Sequence, residues 1–263
     1  MSLKKDINEL MKVNVEEPKK VLTMYLNTDR KSPEQQKGEW KIHLKNGLKN
    51  LEEKAKKSGS QKEMDQAKEI IKKVEDIVYG NERELLRGLV LMTTADENIW
   101  FMKTLQVPVE TAFHWETYPV LDQLQALEKT YPYMGIVLIQ KDEAAVLETE
   151  MGVLEEQTHY TLDLNTDDWR EHQGPQGDDI TEGGSKKDEY DERVEAHQQR
   201  WFKNLVSEVE RKADSSNWEK IYLVGERDEV KALKSYFNKE VDKIISRNLL
   251  NRNADKILDA VLD

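Results

Sequence analysis

Met134-Gly-Ile-Val-Leu-Ile139 is a continuous apolar run, closed by the polar pair Lys141-Asp142 and followed at once by Ala144-Ala-Val-Leu-Glu-Thr149. A run of this kind bounded by a turn signal describes a strand buried on both faces, and a second run after so short a gap describes a hairpin. Val153 to Leu164 supplies a third, more polar strand, alternating at Tyr160, Leu162 and Leu164.

Downstream the character changes. From Asn165 to Lys187 the chain carries Gly174, Pro175, Gly177, Gly183 and Gly184 among acidic residues, with Trp169 and Ile180 as its large apolar side chains. This reads as a long surface loop over 165–187, and loops of that length are usually either functional or unstructured. A long helix follows, because Tyr190, Val194, His197, Trp201, Leu205 and Val209 recur every three or four residues, with Asp188 and Glu189 placed to meet its N-terminal dipole. Asp214-Ser-Ser-Asn217 ends it. Ile221-Tyr-Leu-Val224 is a further buried strand, Gly225 a turn and Asp228 to Phe237 a helix. The tail from Ile244 to Leu262 reads as helical, broken at Asn248 to Asn253.

Upstream, Val21-Leu-Thr-Met-Tyr-Leu26 is a β-favouring run ending at the turn cluster Asn27-Thr28-Asp29. Ser32-Pro33-Glu34-Gln35 has the capping hydroxyl, first-turn proline and acceptor of a helix start. Trp40, Leu44, Leu48, Leu51 and Ala55 then share one helical face. Ser58-Gly59-Ser60 breaks the pattern and Met64, Ala67, Ile70, Val74 and Val78 resume it, giving a helical hairpin. Gly88 to Met92 and Ile99 to Met102 read as two strands, with Leu105 to Val109 continuing the meander as an edge because of Pro108. Tyr118 to Lys129 reads as a connecting helix.

The 263 residues therefore divide into an N-terminal α/β domain with a helical hairpin, 1–130, and a second α/β domain, 131–263, carrying the long loop. Charged residues make up 35% and hydrophobic ones 37%, so narrow apolar stripes are wrapped in a charged surface. The net charge of −12 opposes non-specific binding to DNA, which needs cations to displace phosphate counterions. No cysteine is present and the five histidines have no ligand spacing, so neither a metal nor another cofactor is expected. The first seventeen residues lack the apolar core of a secretory signal, and no apolar run is long enough to span a membrane. A cytoplasmic location is expected.

The order of strand, hairpin strand, strand, long glycine-bearing loop and long helix, together with His197-Gln-Gln-Arg-Trp-Phe-Lys203, resembles the central domain of archaeal and eukaryotic class-1 peptide chain release factors. It is similar in particular to the bacterial branch that includes the Vms-type release-factor-like proteins. The resemblance covers roughly residues 131–248, and Val21 to Asp29 is similar to the opening strand of that branch. It implies a ribonuclease-H-like α/β domain with a mixed sheet, whose loop delivers Gly-Gly-Gln to peptidyl-tRNA in the ribosome. Glycines let the backbone approach a crowded RNA surface, and the glutamine orients water toward the ester.

Two places in this loop share those features. Gly183-Gly184 sits at the implied distance from the helix but is followed by Ser185, while Gly174-Pro175-Gln176 supplies a glutamine earlier in the loop. Gln176, Gly174, Gly183 and Gly184 are thus the catalytic candidates. Arg193, Arg200 and Lys203, with Arg211 and Lys212 beyond them, are candidates for an RNA-facing stripe, although Glu192, Glu195, Glu208 and Glu210 are interleaved.

The implied function is a ribosome-associated release-factor-like protein, with peptidyl-tRNA ester hydrolysis in rescue or quality control. No codon-reading segment is recognisable, so rescue fits better than stop-codon reading. The other reading is a non-catalytic module of the same fold. Between Asp163 and Glu192 there are eleven acidic residues against Arg170, Lys186 and Lys187, which suits a basic protein partner. Asp142, Glu148 and Glu150 also raise a metal-dependent nuclease, but the strand Met134 to Ile139 contains no carboxylate to share a metal.

Overall fold

The computed structural model describes residues 3–31, 38–163, 168–173 and 187–262; for 163, 168–173 and 187–197 the backbone alone is described. The chain forms two compact units, Met1–Thr130 and Tyr131–Asp263.

In the first unit, β1 (Val21–Asn27), β2 (Gly88–Thr93), β3 (Trp100–Leu105) and β4 (Ala112–Glu116) form an antiparallel sheet in the order β3-β2-β1-β4. One face, built from Leu22, Met24, Leu26, Leu89 and Leu91, is covered by α2 (Glu39–Lys57) and α3 (Gln61–Gly80). Those helices bury the stripes expected of them, Trp40, Leu44, Leu48 and Leu51 on α2 and Ala67, Ile70, Val74 and Val78 on α3. Their junction works as its composition suggests: Gly59 takes φ 73° and the Ser60 hydroxyl accepts the Glu63 N–H. Glu63 is itself buried, its carboxylate accepting the Trp115 indole N–H at 2.8 Å. The Tyr25 hydroxyl donates to the carbonyl of Val120 at 2.8 Å, tying β1 to the approach of α4 (Asp122–Thr130). The helix α1 (Leu3–Leu10), which the sequence reading omits, buries Leu3, Ile7 and Leu10 and packs near α4.

One expectation in this unit falls outside the described residues and one changes. The helix start read at Ser32 falls outside the described residues, and α2 begins at Glu39 behind Gly38, whose φ of 78° only glycine adopts cheaply. The meander does not continue through Leu105 to Val109. There the chain arcs past Gly88, with Val107 and Val109 buried against it, and pairing resumes at Ala112 along β1 on the opposite side of the sheet.

In the second unit, β5 (Met134–Gln140), β6 (Glu143–Glu150), β7 (Val153–Asp163) and β8 (Asp168–Gln173) run antiparallel in succession. On the other side of β5, β9 (Lys220–Gly225) and β10 (Lys243–Ser246) run parallel to it, giving the order β10-β9-β5-β6-β7-β8. Four antiparallel strands with two parallel strands added beside the first make the mixed sheet that the resemblance implies. The helix α5 (Lys187–Ser216) buries Phe202, Leu205, Val206, Val209 and Ala213 against Val137, Ile139, Val146, Leu223 and their neighbours. The helices α6 (Arg227–Lys234) and α7 (Ala254–Leu262) complete the unit.

Here too the structure corrects the reading. The stretch 165–187 is not a loop throughout, because Asp168–Gln173 pairs with β7 in the register Leu162↔Trp169 to Thr158↔Gln173. Five of its six residues are polar, so neither alternation nor apolar content marks it as a strand. The tail is likewise not helical from Ile244: Ile244 and Ile245 lie beside Leu223 and Val224 as a parallel edge strand, which suits their branched side chains. Helix begins only at Ala254, where the Asn253 side chain accepts the Lys256 N–H at 3.1 Å.

Candidate functional site

The segment that bears the glycine and glutamine candidates lies in sequence between Gln173, the last residue of β8, and Lys187, the first of α5. Gly174, Gln176, Gly183 and Gly184 lie outside the described residues, as do the side chains of Trp169, Arg193 and His197. What is defined is the frame. Among the described residues, β8 is an edge strand hydrogen-bonded to β7, and α5 passes close to it. The helix is held to the sheet by buried Phe202, Leu205, Val206 and Val209, each contributing about 1.5–3 kcal/mol of burial.

A polar clamp secures the far end of α5. The Lys212 ammonium lies 2.9 Å from Glu148 Oε1 on β6, 2.9 Å from Glu156 Oε1 and 2.8 Å from the Thr158 hydroxyl, both on β7. The other oxygen of Glu148 accepts the Tyr133 hydroxyl at 2.8 Å and the Trp218 indole N–H at 2.9 Å. Glu148 is 1% exposed. Burial pushes its pKa upward, but the hydrogen bonds from Trp218, Lys212 and Tyr133 outweigh that and hold it below the usual range. Burial likewise disfavours the charge on Lys212, and Glu156 and Glu148 reverse the effect and raise it.

This clamp settles two candidate roles. Lys212 turns into the sheet and leaves the basic stripe. Glu148 spends both oxygens on an ammonium, a phenol and an indole, which makes it a poor metal ligand. Among the described residues no cluster of three or more His, Asp or Glu side chains could hold a metal ion.

The remaining basic positions keep a common face. Positions 193, 200 and 211 are separated by seven and eleven residues, close to two and three turns of 3.6 residues, so they stack along one side of α5. Arg200 and Lys203 are exposed there. Arg211 pairs with Glu208. Glu210, which looks interleaved in the sequence, turns aside to accept the N–H groups of Asn238 and Lys239 at 2.6 and 2.8 Å, and these lower its pKa despite partial burial. One base, Lys212, and one acid, Glu210, thus leave the exposed face of α5, so its net charge stays as the linear sequence indicates. No counting of residues could have found the Lys212 and Glu210 contacts, which depend on which neighbouring element each side chain reaches.

No helix among the described residues is long and apolar enough to cross a membrane. The family described as bacterial archaeo-eukaryotic release factor family 5 matches residues 132–263. The uncharacterized protein YocB of Bacillus subtilis (strain 168) is 34% identical over 264 residues, covering 100% of this chain and 99% of its own length. Among solved structures, the archaeal translation termination factor aRF1 aligns with a TM-score of 0.34 and 16% identity over 99% of this chain and 71% of its own. A further archaeal protein gives 0.31 and 15%, over 99% and 73%.

Proposed function

The chain belongs to bacterial archaeo-eukaryotic release factor family 5, and from that membership we propose that it is a cytoplasmic, ribosome-associated protein that acts on peptidyl-tRNA in stalled complexes. The observation that carries the proposal is that the family match covers the unit in which residues 174–186 run from an edge strand into a clamped helix. A segment carried between a paired strand and a long helix can be presented to a target away from the sheet.

In this reading the segment enters the peptidyl-transferase site and the second unit stays outside it. Gln176 orients the attacking water and helps bind the developing charge, while Gly183 and Gly184 allow close backbone approach. The ester is already activated, so water positioning rather than a strong general base supplies most of the rate. Arg193, Arg200 and Lys203 contact RNA phosphates and offset the repulsion between the acidic segment and RNA. Co-sedimentation with ribosomes tests the association: the full chain is expected in the pellet in a magnesium-dependent manner, and a supernatant-only result at every magnesium concentration overturns it.

A second reading is favoured by the eleven acidic residues between Asp163 and Glu192 and by Ser185 standing after Gly183-Gly184. There the segment binds a basic protein surface and hydrolyses nothing. Capture of a protein partner that survives ribonuclease treatment, weakens steadily with monovalent salt and is lost on deleting 174–186 would establish it in place of the first.

A further inference from the structure

The chain carries −12 overall, yet the stretch of α2 from Trp40 to Leu51 holds Lys41, His43, Lys45 and Lys49 and no acidic residue. The neighbouring α3 shows the ordinary pattern of a solvated helix. There Lys62, Lys68 and Lys72 are interleaved with Asp65, Glu69 and Glu75, and Lys73 pairs with Glu69 one turn away at 3.0 Å.

The buried stripe of α2 through Trp40, Leu44, Leu48 and Leu51 turns His43, Lys45, Asn46, Lys49 and Asn50 outward, and all five are exposed. Lys45 and Lys49 lie one turn apart, roughly 6 Å along the axis, with Asn46 and Asn50 in the adjacent row. Lys41 is engaged by Glu82 at 2.7 Å and Lys56 by Glu52 at 3.0 Å. The side chains of Lys45, Lys49, Lys54 and Lys57 make no ion pair or hydrogen bond among the described residues, and Glu53 is the one acid standing between these two pairs of lysines. Lys54 and Lys57 suit the negative end of the helix dipole, but Lys45 and Lys49 stand mid-helix, beyond its reach. Like charges one turn apart also oppose the helix, so stability does not account for this pair.

We propose that the exposed face of α2 is an RNA-binding surface in the first unit, which grips the phosphate backbone through Lys45 and Lys49 without reading sequence. Free ammonium groups flanked by amide side chains are the donors that phosphate oxygens take, and each bound lysine displaces a counterion. A protein partner fits the face less well, because protein interfaces are depleted in lysine and enriched in aromatic, methionine and arginine side chains. Ile42 is the one large exposed apolar side chain on α2. The choice of RNA rests on the ribosomal reading above, while the contact uses neither segment 174–186 nor the residues of α5.

Binding of the full chain to a short RNA duplex of arbitrary sequence, read by fluorescence anisotropy across a salt titration, tests the proposal. Wild type is expected to bind with an affinity that falls as salt rises. Lys45→Ala/Lys49→Ala is expected to weaken binding about tenfold and to lower the slope of log affinity against log salt by about two. Lys68→Ala/Lys72→Ala removes the same charge from α3 and is expected to stay within about twofold of wild type. Absence of binding by the wild type overturns the proposal, as do equal losses from the two pairs, which would make net charge rather than the α2 face responsible. An α2 variant that keeps RNA binding also overturns it, and loss of polyglutamate binding by that variant would assign the face to an acidic protein instead. No ribosome enters the assay, so this contact and peptide release stand or fall separately.

Discussion

Trp218 donates its indole N–H to the buried carboxylate of Glu148 at 2.9 Å. The same ring lies against Gly135, the residue paired with Glu148 across the β5 and β6 ladder, so tightly that any Cβ at 135 would overlap it. One contact therefore fixes the start of β5, the middle of the unit's buried charge and the turn between α5 and β9.

Gly135→Ala is expected to destabilise the second unit by about 1–3 kcal/mol, since the indole must move and loses its acceptor in doing so. Glu148→Ala, which strands the Trp218 N–H and the Tyr133 hydroxyl and removes one partner of Lys212, is expected to cost about 3 kcal/mol or more. Glu148→Gln, which keeps an acceptor, should cost less. Denaturant midpoints for the three variants, with the slope of unfolding unchanged, check the ranking.

The clamp also predicts the shape of the pH profile. Glu148 is held below its ordinary value of 4.5, so its stabilisation is complete above that pH and is lost as pH falls through the depressed folded value. Lys212 is raised above 10.5, so its share is complete below 10.5 and is lost as pH rises through the raised value. Stability measured against pH should show a plateau between those limits, and Glu148→Gln should flatten the acid side.

Glu229 behaves in the opposite sense. Burial raises its pKa, and the nearby acids Glu226 and Asp142 add to this, although it accepts the Lys141 N–H at 2.9 Å. Folding thus favours its protonated form, so its carboxylate lowers stability as pH rises above the ordinary 4.5. Glu229→Gln keeps the acceptor without the charge and is expected to raise the melting temperature at pH 7 and to leave it nearly unchanged at pH 4. Equal shifts at both values would show that charge is not the cause.

These contacts mark the boundary of what the sequence discloses. The strands β5 to β7 and the stripe from Trp201 to Val209 are legible because their apolar periods match the elements that bury them. The strand β8 is not, because a polar edge strand leaves no apolar record, and β10 is not, because four residues carry too little pattern to separate strand from helix. At the site, the arrangement of positions 193, 200 and 211 follows from helical arithmetic. The departure of Lys212 into the sheet does not, since a long side chain on the margin of a helix can reach either solvent or a buried acid, and Glu148 on β6 decides it. The roles of Gln176, Gly183 and Gly184 rest on residue type and position in the chain.

If the exposed face of α5 meets RNA, Arg200→Ala and Lys203→Ala should each weaken ribosome binding at every RNA sequence alike and reduce the salt dependence by about one counterion per lost phosphate contact. Arg211→Ala should have less effect than Lys203→Ala, because Glu208 already engages the Arg211 guanidinium. Ribosome binding measured across a salt titration separates the cases.

The central claim is tested most directly by peptide release from ribosome and peptidyl-tRNA complexes. Wild type is expected to release peptide above background, and Gln176→Ala or the double variant Gly183→Ala/Gly184→Ala is expected to reduce that rate by about 10²-fold without loss of ribosome binding. Absence of release by the wild type, together with failure to co-sediment with ribosomes, would contradict the account.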